Sequence, residues 1–446
     1  MSKQKAYPST PIQVVLAPMQ EFIHRSASGG IVLIGATLIA LLLANSPLAE
    51  SYDEFLHSYI TISAGPYQLK LSLHHWINDA LMAIFFFVVG LEIKREVSVG
   101  ELANPRAAAL PIVAALGGVA VPALIYLAFN AGGIGAKGWG IPMATDIAFA
   151  LGCLALLGDR VPFSLKIFLT AVAIVDDLIA VLVIAFFYTA DLNFAALAIG
   201  FLVLGLLFIA NRLGVRAILF YAVLGMVVWL AFLTSGVHAT IAGVLLALTI
   251  PARHTIDDKT FLRRARRLLD EFEQGESAPS PMLTNEKQQS AVIALEEACE
   301  QVQAPLQKLE HDLHVWVSFL IMPIFALANA GVPLSFASLG GETLPVTLGI
   351  VAGLVLGKPI GLVGASWLAI RSGMTSLPAG ANWYQMVGTG VLAGIGFTMS
   401  LFIASLGFGA DPLLLETAKL AILVASLVAG FAGYAMLARS TPARFK

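Results

Sequence analysis

The chain has 446 residues, 58% of them hydrophobic and only 12% charged, with a formal net charge of −2. A soluble domain is about 25% charged, so this composition describes a polytopic membrane protein, all-α in class, and gives no sign of a nucleic-acid partner. Its cysteines, Cys153 and Cys299, fall in an apolar segment and a polar loop, so neither a disulfide framework nor a metal site is implied.

Residues 1–10 are polar and 11–23 form a short amphipathic stretch. The basic, apolar and small-residue order of a signal peptide is missing there, so no cleavage is expected. About twelve apolar spans follow, near 30–44, 73–91, 107–129, 141–157, 164–188, 194–210, 215–233, 237–250, 315–330, 345–370, 384–406 and 414–437. With the N-terminus inside, the short cytoplasmic loops collect Lys94, Arg95, Arg106, Arg160, Lys166, Arg212, Arg216 and Arg371. The opposite side has Lys70, Lys137 and Lys419 among acids such as Asp53, Glu54 and Glu416. The positive-inside rule then places both termini in the cytoplasm.

Three regions result: transmembrane helices in 1–250, a cytoplasmic helical loop in 251–312, and transmembrane helices in 313–446. Within the loop, 259–272 carries Arg263, Arg264, Arg266 and Arg267 and reads as a basic surface helix. Residues 275–281 break it, and 285–311 read as one more acidic helix. A solvated cap is the plain reading of this loop; lipid headgroup contact or regulation is the other. On the opposite face, the run from Tyr59 to Leu71 alternates around Ala64-Gly65-Pro66 as a β-hairpin, whose exposed edge could pair with its twin in a homodimer.

The fifth span concentrates the chemistry. Residues 167–188 are long enough to cross a bilayer, yet Asp176 and Asp177 sit roughly 15 Å from either end. Insertion at that depth costs on the order of 5–7 kcal/mol for the pair. Packing does not offset it, because lipid already solvates apolar side chains. Successive helical residues diverge by roughly 100°, so the two carboxylates are placed for different partners, such as a fixed counter-charge and an exchangeable cation or proton. The alternative is a pair merely salt-bridged inside a bundle.

A third acid, Asp146, follows Pro142 in a glycine-flanked interruption, where Thr145 and Asp146 are good N-cap types for a new half-helix. Lys358 is the lone cation inside a span and the natural counter-charge for Asp176 or Asp177, unless it snorkels to the interface. One lysine cannot neutralise three acids in a low dielectric, so protons or a metal cation must supply the rest. Residues 107–188 hold three spans with the middle one interrupted; 345–437 hold three more, the middle one containing Gly394-Ile-Gly-Phe-Thr-Met-Ser. By the charge count the two trios are inverted, and paired interruptions in the middle helices of inverted repeats point to a binding site at the membrane midplane.

Taken together, Leu91-Glu-Ile-Lys-Arg-Glu, Ala144-Thr-Asp-Ile-Ala-Phe-Ala-Leu-Gly, Ala173-Ile-Val-Asp-Asp, Ser235-Gly-Val-His-Ala-Thr-Ile-Ala-Gly, Ala326-Leu-Ala-Asn-Ala-Gly-Val, Leu356-Gly-Lys-Pro and the Gly394 motif resemble the NhaA-type bacterial sodium/proton antiporters. The resemblance implies that Asp177 carries Na⁺, Li⁺ or a proton, with Asp176 beside it as the partner of Lys358. It implies that Thr145 and Asp146 lie where two unwound helices cross. Glu92, Arg95, Glu96, Glu310, His311 and His314 resemble a cluster linked to pH activation, and His238 a histidine tied to pH response; plain interfacial or capping roles remain open for the histidines. Two departures stand out: the long connection at 251–312, and Val315 where the family pattern has proline.

The expected activity is therefore electrogenic, pH-activated exchange of cytoplasmic Na⁺ (or Li⁺) for external protons in a bacterial inner membrane, without an enzymatic step or resident cofactor. A Na⁺-coupled symporter of an organic anion on a similar scaffold, or a channel, are the competing readings.

Overall fold

The computed structural model describes residues 28–65, 67–189, 192–274, 285–334 and 339–440. The expectations for 1–10, 11–23 and 275–281 lie outside the described residues. The elements in order are α1 (Ser28–Ala44), α2 (Ala49–His57), β1 (Tyr59–Ala64), β2 (Tyr67–Ser72), α3 (Leu73–Val99), α4 (Pro105–Asn130) and a 3₁₀ segment (Ala136–Met143) leading to α5 (Ile147–Leu156). There follow α6 (Phe163–Phe187), α7 (Phe194–Arg212), α8 (Ile218–Leu233), α9 (Ala239–Thr249), α10 (Asp258–Gln274), α11 (Glu286–Val302) and α12 (Pro305–Asn329). The chain ends in α13 (Gly341–Arg371), α14 (Trp383–Leu392), α15 (Phe397–Phe408) and α16 (Pro412–Ala438).

Among the described residues, 8 helices are long and apolar enough to cross a membrane, or 10 if the bent pairs α1–α2 and α14–α15 each count as one span; α8 and α9 are shorter apolar helices. Each of the twelve expected spans contains apolar helix, with 141–157 interrupted at 144–146 and 384–406 at 393–396. The bend between α1 and α2 is 113°, because α2 carries Glu50, Asp53 and Glu54 and turns away from the apolar direction of α1. Water is absent from a bilayer core, so backbone groups at helix ends must find protein partners. Asn104, Asn193 and Asp411 accept from the first free amides of α4, α7 and α16. Asn382 and Gln385 form a reciprocal cap at the start of α14.

The first helices of the two three-helix units, α4 and α13, run against each other. A Cβ at Gly117 would lie 2.3 Å from Gly361 O, and one at Gly361 would lie 2.1 Å from Gly117 O, so only glycine lets the backbones approach this closely. Further along α4, Asn130 Nδ2 donates to Pro345 O (2.8 Å). Rising residue numbers on α4 thus meet falling numbers on α13, which makes the pair antiparallel, as an inverted arrangement requires.

The β-hairpin forms with Tyr59 opposite Ser72 and Ala64 opposite Tyr67. Two other expectations are corrected. The stretch 285–311 is not one helix: α11 stops at Val302, and Pro305 begins α12, since proline disfavours helix in the residue before it but suits the first helical position. Glu310 and His311 therefore share the first turns of a membrane helix with His314 rather than ending a loop helix. Lys358 is also not the only enclosed cation, because Lys419, assigned by charge to an outer loop, lies in α16 and is 8% exposed.

Substituting Gly361 by Ala drives a methyl group into the α4 backbone, and overpacking of this kind costs about 1–3 kcal/mol. Gly361→Ala should lower the midpoint of thermal unfolding in detergent. Gly205→Ala, where a Cβ would meet nothing within 4 Å, should not. Equal midpoints for the two variants would contradict the close approach.

Candidate ion-binding site

Two interruptions meet at the centre of the bundle. Between the 3₁₀ segment and α5 the chain is extended through Ala144, Thr145 and Asp146; between α14 and α15 it loosens over residues 393–396. They are tied directly by Asp146 N–H donating to Ile395 O (2.7 Å) and by Ser400 Oγ donating to Ile141 O (2.7 Å). Such unwinding is tolerated at membrane depth only where protein supplies the missing partners.

Each half-helix presents a partial charge at the crossing. Asp146 caps α5 by accepting from Phe149 N–H through Oδ1 (3.0 Å). Through Oδ2 it accepts from Thr398 N–H (3.1 Å) and Thr398 Oγ1 (2.5 Å), so one carboxylate faces the positive ends of both α5 and α15. The negative ends are answered by donors. Lys358 Nζ donates to Met143 O at the end of the 3₁₀ segment. Thr145 Oγ1 lies 3.0 Å from Ala393 O, at the end of α14, and 2.9 Å from Asp176 Oδ2. Its single proton serves one of these acceptors at a time.

Adjacent positions on α6 send Asp176 and Asp177 in different directions. Asp176 Oδ2 is 2.6 Å from Lys358 Nζ, with both side chains fully buried. The π-turn at Gly353–Gly357 precedes Lys358 and sets it on the α4-facing side, its aliphatic stem beside Gly118. Asp177 is 2% exposed and forms no ion pair with Lys358; its Oδ1, like Asp176 Oδ1, has no hydrogen-bond partner among the described residues. It interacts electrostatically with Asp176, Glu92 and Asp146, all of its own sign, and with Lys358. An enclosed carboxylate oxygen without a donor carries a desolvation cost that a proton or a cation removes.

An open cavity of about 640 Å³ lies between the ends of α3, α4 and α6, lined by Arg95, Glu96, Asn104, Lys166, Thr170 and Ala171 among others. Ala171 stands six positions before Asp177 on α6, roughly 9 Å at helical rise. Beside it is the cluster singled out by sequence. Arg95 bridges Glu310 on α12 and Glu96 (2.9 Å) on α3, and Glu96 in turn accepts from Glu101 N–H (3.0 Å). Glu310 Oε2 is buried without a hydrogen-bond partner among the described residues. Glu92 interacts with Glu310, Arg95 and Glu96; His314 interacts with His311 and Arg95.

The remaining histidine stands apart. His238 precedes α9 and its Nε2 lies 2.7 Å from Tyr188 O, at the far end of α6 from that cavity. Thr398 was not singled out by sequence, although it lies within the Gly394 motif. A threonine one residue inside a new half-helix, opposite a capping acid, was the signal available. Lys419, near Glu416, Asp53 and His74, was missed because its span was read as beginning only a turn earlier.

A family profile described as Na⁺/H⁺ antiporter 1 matches residues 20–437. The chain is 53% identical over 427 residues to a protein of Oleidesulfovibrio alaskensis named Na⁺/H⁺ antiporter NhaA, covering 96% of this chain and 95% of that one. It is 50% identical to Na⁺/H⁺ antiporter NhaA 1 of Saccharophagus degradans, covering 95% and 91% of the two chains. It is 49% identical to Na⁺/H⁺ antiporter NhaA 2 of Syntrophotalea carbinolica, covering 95% and 97%. With a match that runs through both interrupted helices, the aspartate pair and the buried lysine, this chain belongs to the Na⁺/H⁺ antiporter 1 family.

Proposed function

We propose that this protein exchanges cytoplasmic Na⁺ (or Li⁺) for external protons, with Asp177 as the group for which the two compete. The observation that carries the reading is Asp177 itself: enclosed, next to acids of its own sign, and without the ion pair that Lys358 gives Asp176. The names of the relatives point to the same exchange. Na⁺ enters through the cavity beside Arg95 and Glu96, sheds water, and takes oxygen ligands from Asp177, with Asp176, Thr145 and unwound backbone carbonyls as supporting donors. Asp176 is held by Lys358 until that ligation draws it away. Protons arriving from the outside displace Na⁺ from the carboxylates, and the two units rock about the crossing to expose it to each side in turn. Carrying more than one proton per Na⁺ makes the cycle electrogenic. Na⁺, Li⁺ and H⁺ are cargo, and the scheme needs no resident cofactor.

The cluster of Glu92, Arg95, Glu96, Glu310, His311 and His314 suits a pH-dependent gate. Its Arg95 ties α3 to α12 through charges that protonation would cancel. His238 acts from the opposite end, on the carbonyl that closes α6. The hairpin running from Tyr59 to Leu71 offers an edge for a homodimer in the bacterial inner membrane, with both termini cytoplasmic. Organic-anion symport is set aside: the crossing is framed by carboxylates, hydroxyls and carbonyls, which are donors for a cation.

Proteoliposomes with a preset proton gradient test the exchange. Added Na⁺ should collapse the gradient in the wild type and leave it intact in Asp177→Asn; persistent exchange in that variant would remove Asp177 from the site. Lys358→Ala strands Asp176 without its partner, and breaking a buried pair costs about 3–5 kcal/mol, so its thermal midpoint should fall. Lys358→Ala with Asp176→Asn should recover much of that loss, and no recovery would argue against the pairing. Glu310→Gln removes one charge from the cluster and should shift the pH of half-maximal exchange while leaving the Na⁺ requirement in place. An unchanged pH profile would confine Glu310 to a structural role.

A further inference from the structure

The loop between α9 and α12 is folded into a helical hairpin that the transport scheme does not use. Its base is fixed to α3 and to the start of α12. Pro251 O accepts from Leu306 N–H (3.1 Å), Thr255 N–H donates to Gln301 O (2.8 Å), and Lys94 Nζ donates to Ile250 O (2.5 Å). A small cavity at that base is lined by Arg216 and Ile218 together with Thr255, Gln301 and Lys308, so the hairpin abuts the start of α8. That corner is apolar and open: Leu213 is 79% and Leu219 75% exposed.

The two sides of α10 differ. One packs on α11, with Leu268 buried, Arg264 held by Gln301 (2.9 Å) near Glu297, and Phe272 O accepting from Gln288. The other side presents Lys259, Leu262, Arg263, Arg266 and Leu269 at spacings of three and four, a single stripe down the helix. Leu262 and Leu269 are 51% and 53% exposed. At the head of the helix Asp257 engages Thr260 and Arg263, and further on Arg267 pairs with Glu271 (3.4 Å) off the stripe. Lys259, Leu262, Arg263 and Arg266 line an open groove, with Asp257 at its head. Cations crowd the half of α10 nearest the membrane corner, whereas Asp270, Glu271 and Glu273 occupy the far half.

We propose that this stripe rests on the bilayer that holds the protein, with Lys259, Arg263 and Arg266 on anionic phospholipid headgroups and Leu262 and Leu269 dipping between them. Basic residues flanking large aliphatic ones on one face are the pattern of a helix that lies in the interface plane. Each cation is drawn to an anionic surface within a Debye length. A solvated cap has no use for half-exposed leucines on this face, where Leu262 lies among Lys259, Arg263 and Arg266 and Leu269 follows Arg266. Anionic lipid would hold the hairpin against the corner of α8 and thereby fix the start of α12, where Glu310, His311 and His314 lie. The surface is independent of the ion site, and its test does not require exchange to be correct.

The test uses the full chain with Cys153→Ser and Cys299→Ser and a spin label on Leu262→Cys, in nanodiscs holding one chain each. In phosphatidylglycerol the label should lose accessibility to a water-soluble nickel reagent severalfold relative to phosphatidylcholine. A label on Glu296→Cys, on α11, should not change. Lys259→Gln with Arg263→Gln and Arg266→Gln should abolish the difference. All three side chains are exposed, and an unchanged midpoint of thermal unfolding would verify the fold. Equal accessibility in both lipids, or protection that survives the triple substitution, overturns the proposal. Protection that appears only with two chains per disc also overturns it, in favour of a second copy of this chain as the occupant.

Discussion

A bilayer core offers neither water nor counter-ions, so every charge placed there must be matched by protein or carried away by cargo. This constraint organises the centre of the molecule. Lys358 and Asp176 satisfy one another, with Met143 O and Thr145 filling adjacent positions. Asp146 is satisfied by two helix N-termini and the Thr398 hydroxyl. Each of the adjacent acids keeps a buried Oδ1 without a partner among the described residues, but only Asp176 has a counter-charge, through its Oδ2 on Lys358; Asp177 is the acid left over. A counter-charge on one carboxylate and none on the next turns a buried polar cluster into a site that needs a mobile cation.

The crossing also explains why the helices are broken. A continuous helix would consume its own carbonyls and amides, leaving nothing for Thr145, Lys358 or Asp146 to meet. Interrupting two antiparallel units at matched points brings two positive and two negative ends together within one small volume. The side chains that answer them hold the geometry while leaving Thr145 with two acceptors for one proton. Such a frustrated hydroxyl is easily redirected when a cation arrives, so binding can change the links between the two units.

Much of this was legible in the sequence because membrane chains leave charges few places to hide. Asp146, Asp176, Asp177 and Lys358 stand out against apolar runs, and Pro142 with the Gly394 motif marks the interruptions. The choice between Asp176 and Asp177 as partner of Lys358 was not fixed by spacing, since one residue of helical rotation decides it. Thr398 was hidden because a threonine in an apolar run is unremarkable until its acceptor is known. Charge counting misplaced Lys419: the positive-inside rule scores positions near span ends and is blind to burial in a first turn. The break at Pro305 was readable but was outweighed by the continuous polar character on both sides of it. The break puts Glu310 and His311 on the same helix as His314, α12.

The central claim is that Na⁺ and protons compete for Asp177, and calorimetry of Na⁺ binding to the purified protein tests it most directly. Titrations at one alkaline pH in buffers of different ionisation enthalpy count the protons released per Na⁺ bound. Competition predicts net proton release that grows as the pH is lowered toward the group's protonated range, while the apparent affinity for Na⁺ falls. Na⁺ binding with heats independent of the buffer at every pH would mean that the ion displaces no proton, and would contradict the account.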